Sequence, residues 1–204
     1  MKNTTIADRR AEKRDKILKS AAKTFASKGF YHAKISQIAR AAGVADGTIY
    51  LYFKNKDEIL ITVFEESVGR IIREFRQELS QLSSPIDKLK KFSYLHLNLV
   101  ETQPDVAAVV QLELRQSNKF IKEYAGSSIA DYLNLISEIL EAGQKQQLFR
   151  NDIHLGIAKR VLFGALDEFS TVTILAKNKK YDLQESAEQI AEIFISGMCK
   201  NEKS

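Results

Sequence analysis

Apolar residues recur at three- and four-residue spacing along most of the chain, and this helical periodicity most limits how the chain can fold. Ile17, Ala21 and Phe25 show the pattern first, on one stripe of a helix. Helix-breaking residues are rare, because the 204 residues include only two prolines, Pro85 and Pro104, and nine glycines. Strand-like alternation of β-branched and aromatic residues is hard to find. The sequence therefore predicts an all-α fold.

Start and stop signals divide the chain into nine predicted helices. Gly29 is a candidate left-handed C-cap of the first helix, and Asn55 with Glu58 resembles a capping box at the start of the fourth. Ser84 before Pro85 opens the fifth helix. The predicted helices cover about residues 9–27, 35–42, 46–53, 56–82, 85–100, 105–116, 118–142, 153–176 and 183–198.

Several classes of protein conflict with the sequence. No apolar run approaches the roughly 20 residues of a membrane-spanning helix, and the first 16 residues lack the apolar region of a secretory signal. The lone Cys199 rules out an intramolecular disulfide and fits the reducing cytoplasm. His32, His96 and His154 are far apart and lack metal-ligand spacing. We therefore expect a cytoplasmic protein that is not an enzyme, with no catalytic residues, metal, cofactor or membrane partner.

Positive charge is concentrated in the first quarter of the chain. Residues 1–56 contain 13 Lys and Arg against 4 Asp and Glu, whereas residues 57–204 contain 18 against 22. Charge character thus changes within the fourth predicted helix, which is where we place the boundary between two parts. A basic segment of this kind favours a polyanionic partner, with nucleic acid ahead of a membrane surface. A solvated basic helix face is the alternative.

A helix-turn-helix explains the basic segment best. Two short predicted helices are joined by the turn "GVAD", residues 43–46, and Val44, Ile49 and Phe53 can anchor the second helix to the core. We expect Thr48 and Tyr50 to face base edges or phosphates. The alternative is that the tyrosines cover the core and the lysines are solvated. The predicted DNA-binding residues are Lys34, Ser36, Gln37, Gly47, Thr48, Tyr50, Tyr52, Lys54 and Lys56.

The segment "ISQIARAAGVADGTIYLYFKNKDEIL", residues 35–60, resembles the DNA-binding signature of TetR-family repressors. Lys34 and Ala45 depart from it, since the family often has Thr and Ser at those positions. The resemblance implies a nine-helix architecture with a helix-turn-helix domain at residues 1–56 and a ligand-binding and dimerisation domain at residues 57–204. It also implies a homodimer that binds double-stranded operator DNA.

A narrower resemblance extends into the second part. The segments "QLELRQSN" (111–118), "FGALDE" (163–168) and "KYDL" (180–183) are similar to the FadR branch of that family in Gram-positive bacteria. This resemblance implies a repressor of fatty acid degradation genes that long-chain acyl-CoA releases from DNA. The alternative is a TetR-type repressor of an efflux or other metabolic operon, induced by a different apolar molecule.

An acyl-CoA effector requires an apolar tube for the tail and cations for the phosphates. Arg115 is the candidate cation, although it could instead pair with Glu113, Asp167 or Glu168 as a structural bridge. Plain core packing is the alternative for the apolar candidates. The predicted ligand-binding residues are Phe92, Leu95, Leu99, Val109, Leu112, Arg115, Ile136, Leu140 and Phe163.

The last two predicted helices are too apolar for burial on one side only. They suit a four-helix interface across a two-fold axis, and a monomer with a thicker core is the alternative. The predicted interface residues are Ala158, Leu162, Ala165, Phe169, Ile190, Ile193, Phe194 and Gly197.

Overall fold

The computed structural model describes residues 5–113, 125–176 and 181–199, and within these ranges the chain forms nine α-helices. A π-helical turn, Val109–Glu113, continues the sixth helix. The all-α prediction is confirmed. The helices are α1 (Ile6–Lys28), α2 (Ile35–Ala42), α3 (Asp46–Ile49), α4 (Lys56–Ser80), α5 (Pro85–Thr102), α6 (Pro104–Ala108), α7 (Ala125–Lys145), α8 (Leu155–Leu175) and α9 (Leu183–Met198).

Local chemistry fixes most helix ends near the predicted positions. Asn55 Oδ1 accepts from the Glu58 backbone N–H at 2.8 Å, which caps α4 as predicted. The Glu58 carboxylate accepts from the N–H of Lys54 at 2.6 Å, one residue before the cap, so the predicted reciprocal box is shifted by one residue. Gly29 ends α1 with φ 75° but ψ 149°, so it is not the left-handed cap that was predicted. Gly43 ends α2 in the left-handed conformation, with φ 66° and ψ 39°.

The second helix of the helix-turn-helix is shorter than predicted. The sequence predicted a helix over residues 46–53, but α3 ends at Ile49 and residues 50–52 form a turn. The N–H groups of Tyr52 and Phe53 both donate to the Ile49 carbonyl at 3.0 Å. These bonds hold the turn to the end of α3, so residues 46–53 remain one compact segment. We call residues 46–53 the recognition segment.

A first hydrophobic core joins α1, α2 and the recognition segment to the N-terminal half of α4. Phe25, Ile38, Ile49 and Phe64 are fully buried in it. Val68 is its last buried residue on α4. Because isolated helices as short as α2 and α3 are marginal in water, this shared core must stabilise them.

A second core fills the bundle formed by the C-terminal half of α4 and helices α5 to α9. Helix α5 runs through this bundle and contacts α4, α6, α7, α8 and α9. Ile71, Phe75 and Leu79 are the α4 residues that belong to this core. Helix α4 therefore contributes to both cores, and the change occurs between Val68 and Ile71. Over the described ranges, no helix is both long and apolar enough to cross a membrane.

Candidate DNA-binding and effector sites

The recognition segment is anchored on one side and exposed on the other. Ile49 and Phe53 are 0% and 3% exposed, so they fix the segment in the first core. Tyr50 and Leu51 are 58% and 71% exposed and face away from that core. Gly47 is exposed, and a Cβ added there would meet nothing within 4 Å. The segment thus offers an outer surface on which another molecule can lie without displacing any side chain.

Most of the predicted DNA-binding residues are exposed or half-buried. Lys34 and Gln37 are exposed at the start of α2, where the Gln37 side-chain oxygen accepts from the Lys34 N–H at 3.0 Å. Ser36 and Thr48 are half-buried, and Lys54 is exposed. The N-terminus of α2 and the outer side of the recognition segment therefore present polar groups and backbone N–H groups suited to phosphate.

Lys56 is the predicted DNA contact whose ammonium already has hydrogen-bond partners within the protein. Its ammonium donates to the backbone carbonyls of Phe30, Tyr31 and Ala33 at 2.7, 3.2 and 3.0 Å. Three acceptors occupy all three hydrogens of an ammonium group. The side chain is half-buried between α4 and the connection from α1 to α2. The Lys56 ammonium is therefore fully hydrogen-bonded within the chain.

Helix α1 brings cations to this surface that the sequence interpretation left out. The Arg10 guanidinium lies 5.8 Å from the centre of the Tyr52 ring. The Lys16 ammonium comes within 3.5 Å of the position that a Cβ on Gly43 would take, so it lies beside the helix-turn-helix turn. The sequence gives no separate signal for these two, because charged side chains along a helix are equally typical of an ordinary solvated face.

The predicted ligand-binding residues are divided between the two cores. Phe92, Ile136 and Leu140 are fully buried in the second core, and Phe163 packs against it. Leu95 and Leu99 line a groove of about 390 Å³ between α4 and α5. Val109 is buried in the first core instead, because the π-helical turn faces α1. The Leu112 side chain and Arg115 lie outside the described residues.

A buried polar pair lies among the aromatic rings of the second core. His96 Nδ1 and the Tyr132 hydroxyl are 2.7 Å apart, and the Phe92 and Phe163 rings lie against both residues. Burial lowers the pKa of His96 to about 4, and the nearby Asp167 carboxylate opposes that shift. Burial also raises the pKa of Tyr132 well above its usual value. Both groups are therefore neutral at physiological pH, and each can donate or accept a hydrogen bond.

A second polar group lies where the π-helical turn meets α8. The Thr171 hydroxyl donates to the Gln111 side-chain oxygen at 3.3 Å, and Gln111 is 7% exposed. Within the described residues, the buried Ser170 hydroxyl has no hydrogen-bond partner. Such π-helical turns often mark functional sites. Sequence periodicity gives no signal for this arrangement, because each of these residues occupies an ordinary helical position.

The histidines do not form a common site. His154 caps α8 by accepting from the Gly156 N–H at 3.1 Å, His96 is buried, and His32 is exposed near the α1–α2 connection. In the ranges that the structure describes, no group of His, Cys, Asp and Glu side chains is placed to hold a metal ion.

Helices α8 and α9 carry an apolar face on the surface of the chain. Ile157, Val161 and Ile193 are 64%, 58% and 75% exposed, and they line a groove of about 360 Å³. Contiguous exposed apolar surface of this kind is characteristic of protein interfaces. Seven of the predicted interface residues lie in this groove or at its edge, and Phe169 lies beside Tyr181 with ring centres 6.0 Å apart. The lining residues from the predicted set are Ala158, Leu162, Ala165, Ile190, Ile193, Phe194 and Gly197.

Two protein-family models match the chain consecutively. Residues 17–63 match the bacterial regulatory proteins of the tetR family. Residues 64–197 match the C-terminal region of the YsiA-like protein. The boundary between the matches falls within α4, close to the position where that helix passes from the first core to the second.

Relatives cover nearly the full chain. A fatty acid metabolism regulator protein of Bacillus subtilis (strain 168) is 34% identical over 182 residues, which are 89% of this chain and 93% of that protein. The crystal structure of FadR from Bacillus subtilis in complex with stearoyl-CoA has a TM-score of 0.84 and 34% identity, and the match covers 90% of this chain and 98% of that one. FadR from Bacillus halodurans, a fatty acid degradation regulator, has a TM-score of 0.85 and 36% identity, with 91% and 95% covered.

Proposed function

The chain belongs to the TetR family of bacterial regulatory proteins, and from this premise we propose that it represses fatty acid degradation genes until long-chain acyl-CoA releases it from operator DNA. Members of this family are DNA-binding regulators and not enzymes. One observation supports the effector most: the Bacillus subtilis FadR structure that holds stearoyl-CoA matches 90% of this chain with a TM-score of 0.84. We place this activity in the cytoplasm, where operator DNA is accessible.

We propose that residues 1–56 read the DNA and that residues 57–204 bind the effector and form the dimer. Regulators of this family are dimers. The exposed Tyr50 and the half-buried Thr48 support a base-reading role for the recognition segment. Lys34, Ser36 and Gln37 would contact phosphates from the start of α2, and Tyr52 and Lys54 would contact the backbone beside it. The apolar groove of α8 and α9 would pair with its copy across a two-fold axis.

The acyl tail would bind in the second part, between apolar side chains of α5, α7 and α8. Two observations support this placement. Leu95 and Leu99 line the surface groove between α4 and α5, and Phe92 and Phe163 belong to the aromatic cluster of the second core. We propose Arg115 as the cation for the phosphates. The neutral His96–Tyr132 pair would offer hydrogen bonds to an uncharged polar group such as a thioester. An acyl tail can bind there only if these packed side chains move apart.

Release from DNA would follow from the position of α4. Helix α4 contributes to both cores. A ligand that pushes apart the side chains of the second core would therefore move the helix that holds the recognition segment. The two recognition segments of a dimer then no longer match half-sites one helical turn apart. For this to occur the effector must bind the conformation with low DNA affinity more tightly, because equal affinity shifts no equilibrium.

Two measurements on the same protein test the proposal. A gel-shift titration with a palindromic operator and palmitoyl-CoA or stearoyl-CoA should show loss of the complex, whereas free CoA and octanoyl-CoA should leave it intact. Calorimetry without DNA should show binding of the long-chain species alone. Persistence of the DNA complex at a saturating concentration of bound acyl-CoA would disprove the release mechanism. Failure of both long-chain species to bind, with another co-purifying apolar ligand present, would favour the alternative repressor class.

A further inference from the structure

Lys56 occupies a site made almost entirely of backbone carbonyls. It is the first residue of α4, and its ammonium donates to the carbonyls of Phe30, Tyr31 and Ala33, which all lie in the connection between α1 and α2. The same ammonium lies 4.6 Å from the centre of the Phe30 ring. A cation over an aromatic face and surrounded by carbonyl oxygens is held by two favourable electrostatic interactions at once.

The connection that Lys56 holds leads directly into the N-terminus of α2. It begins after the C-cap Gly29 of α1 and ends at Lys34, the N-cap of α2. Phe30 is 7% exposed and packs on Phe25 with ring centres 5.5 Å apart, so the connection is anchored in the first core. Lys56 thus ties the start of α4 to the segment that sets the position of the α2 N-terminus.

We infer that Lys56 is a positioning residue for DNA binding, which orients the α2 N-terminus relative to the recognition segment, and that it makes no phosphate contact. All three hydrogens of its ammonium are used within the protein. Lys54, two residues earlier, is exposed and is the matched contrast. Loss of Lys56 lets the α2 N-terminus shift relative to the recognition segment and so weakens the base contacts, while every phosphate-contacting cation is retained. Loss of Lys54 removes one cation from an otherwise unchanged surface.

Salt dependence separates the two roles. Each neutralised phosphate adds about 0.9 to the slope of log K against log salt concentration, so one phosphate contact in each half of a dimer adds about 1.8. A positioning residue contributes to affinity without contributing to that slope. A positioning residue also stabilises the free protein, which a phosphate contact does not.

The experiment compares Lys56→Met with Lys54→Met in the full chain, by fluorescence anisotropy on an operator duplex from 50 to 300 mM KCl and by thermal unfolding without DNA. We expect Lys56→Met to weaken operator binding by about tenfold, to keep the wild-type salt slope, and to lower the unfolding midpoint. Lys54→Met should lower the slope by about 1.8 and leave the midpoint unchanged. A lower slope and an unchanged midpoint for Lys56→Met would overturn the inference.

A charge-conserving variant keeps the test decisive if Lys56→Met does not fold. Lys56→Arg retains the positive charge, so a phosphate contact would survive and operator affinity would stay at the wild-type level. The planar guanidinium cannot direct its donors at three carbonyls around one point as an ammonium does. We therefore expect Lys56→Arg to bind the operator more weakly at an unchanged salt slope. Wild-type affinity in this variant would also overturn the inference.

Discussion

At the residue scale, the buried histidine of the second core makes stability depend on pH. Burial lowers the pKa of His96 to about 4 in the folded chain, whereas the unfolded chain has an ordinary value near 6.5. Between these values the unfolded state binds more protons, so stability is present above pH 6.5 and is lost as pH falls towards 4. Tyr132 from α7 and Asp167 from α8 are the groups that face His96. We expect the free energy of unfolding in urea to fall by about 2 kcal/mol between pH 7 and pH 4.5.

The control is the double variant His96→Phe/Tyr132→Phe. It removes both members of the hydrogen-bonded pair together, so neither is left buried without the other. The urea measurement should then show a pH dependence that is smaller by about 2 kcal/mol over the same range. An unchanged pH dependence would assign the effect to carboxylates elsewhere on the chain.

Two tyrosines of the DNA-binding surface should differ in what they contribute. Tyr50 is 58% exposed at the end of α3, whereas Tyr52 is half-buried beside Phe53 and beneath Arg10. We expect Tyr50→Ala to weaken the free energy of binding by about 1–3 kcal/mol more on the operator than on random DNA, because it removes a base contact. Tyr52→Ala should weaken both complexes equally. Anisotropy titrations on the two duplexes measure this difference, and equal losses for Tyr50→Ala would exclude base reading.

At the element scale, α4 connects the two cores and contains a glycine where it passes between them. Gly69 lies between Val68 of the first core and Ile71 of the second, and an added Cβ would meet only the Arg73 guanidinium at 3.5 Å. We expect Gly69→Ala to raise the free energy of unfolding by about 0.5–1 kcal/mol, because alanine restricts the unfolded backbone more. A stiffer α4 should also require more acyl-CoA for release from DNA.

The exposed Glu65 on the same helix provides the control for Gly69→Ala. Glu65→Ala improves helix propensity without removing a glycine, so the acyl-CoA concentration for half-release should stay at the wild-type value. Gel-shift titrations of the three proteins compare these concentrations. A stabilised Gly69→Ala protein with wild-type release would show that α4 does not bend at this position.

The elements also show which features a sequence can predict. Helices α2 and α9 match the predicted ranges, because strong periodicity and end signals coincide there. The end of α3 at Ile49 was missed, since the chain after it packs against distant residues: Arg10 and Arg14 of α1 lie over the rings of Tyr52 and Phe53. The role of Lys56 was missed for the same reason, because its three carbonyl partners lie 23 to 26 residues away in sequence. The sequence pattern predicts which side of a helix is apolar and which is charged. Contacts between distant parts of the chain decide which residues each side packs against.

At the scale of the whole molecule, the apolar face of α8 and α9 and the proposed effector site differ in how far the sequence predicts them. The exposed apolar face of α8 and α9 could be predicted, because these helices are more apolar than one-sided burial explains. The effector site could be predicted only as a set of apolar positions. Side chains such as Phe92 and Ile136 look identical in sequence whether they line a ligand or fill a core, and Val109 joins the other core altogether.

Dimerisation should determine operator affinity, because each protomer supplies one recognition segment. Ile193 is 75% exposed in the apolar groove of α8 and α9, so Ile193→Lys places one charge per protomer in the proposed dimer interface, where burial without a partner is costly. We expect a monomer by analytical ultracentrifugation and operator binding at least about 100-fold weaker, since the two half-sites no longer act together. Gln184→Lys adds the same charge to α9 outside the groove, beside Glu188, and should remain a dimer with wild-type affinity. A dimeric Ile193→Lys protein would place the interface on another face.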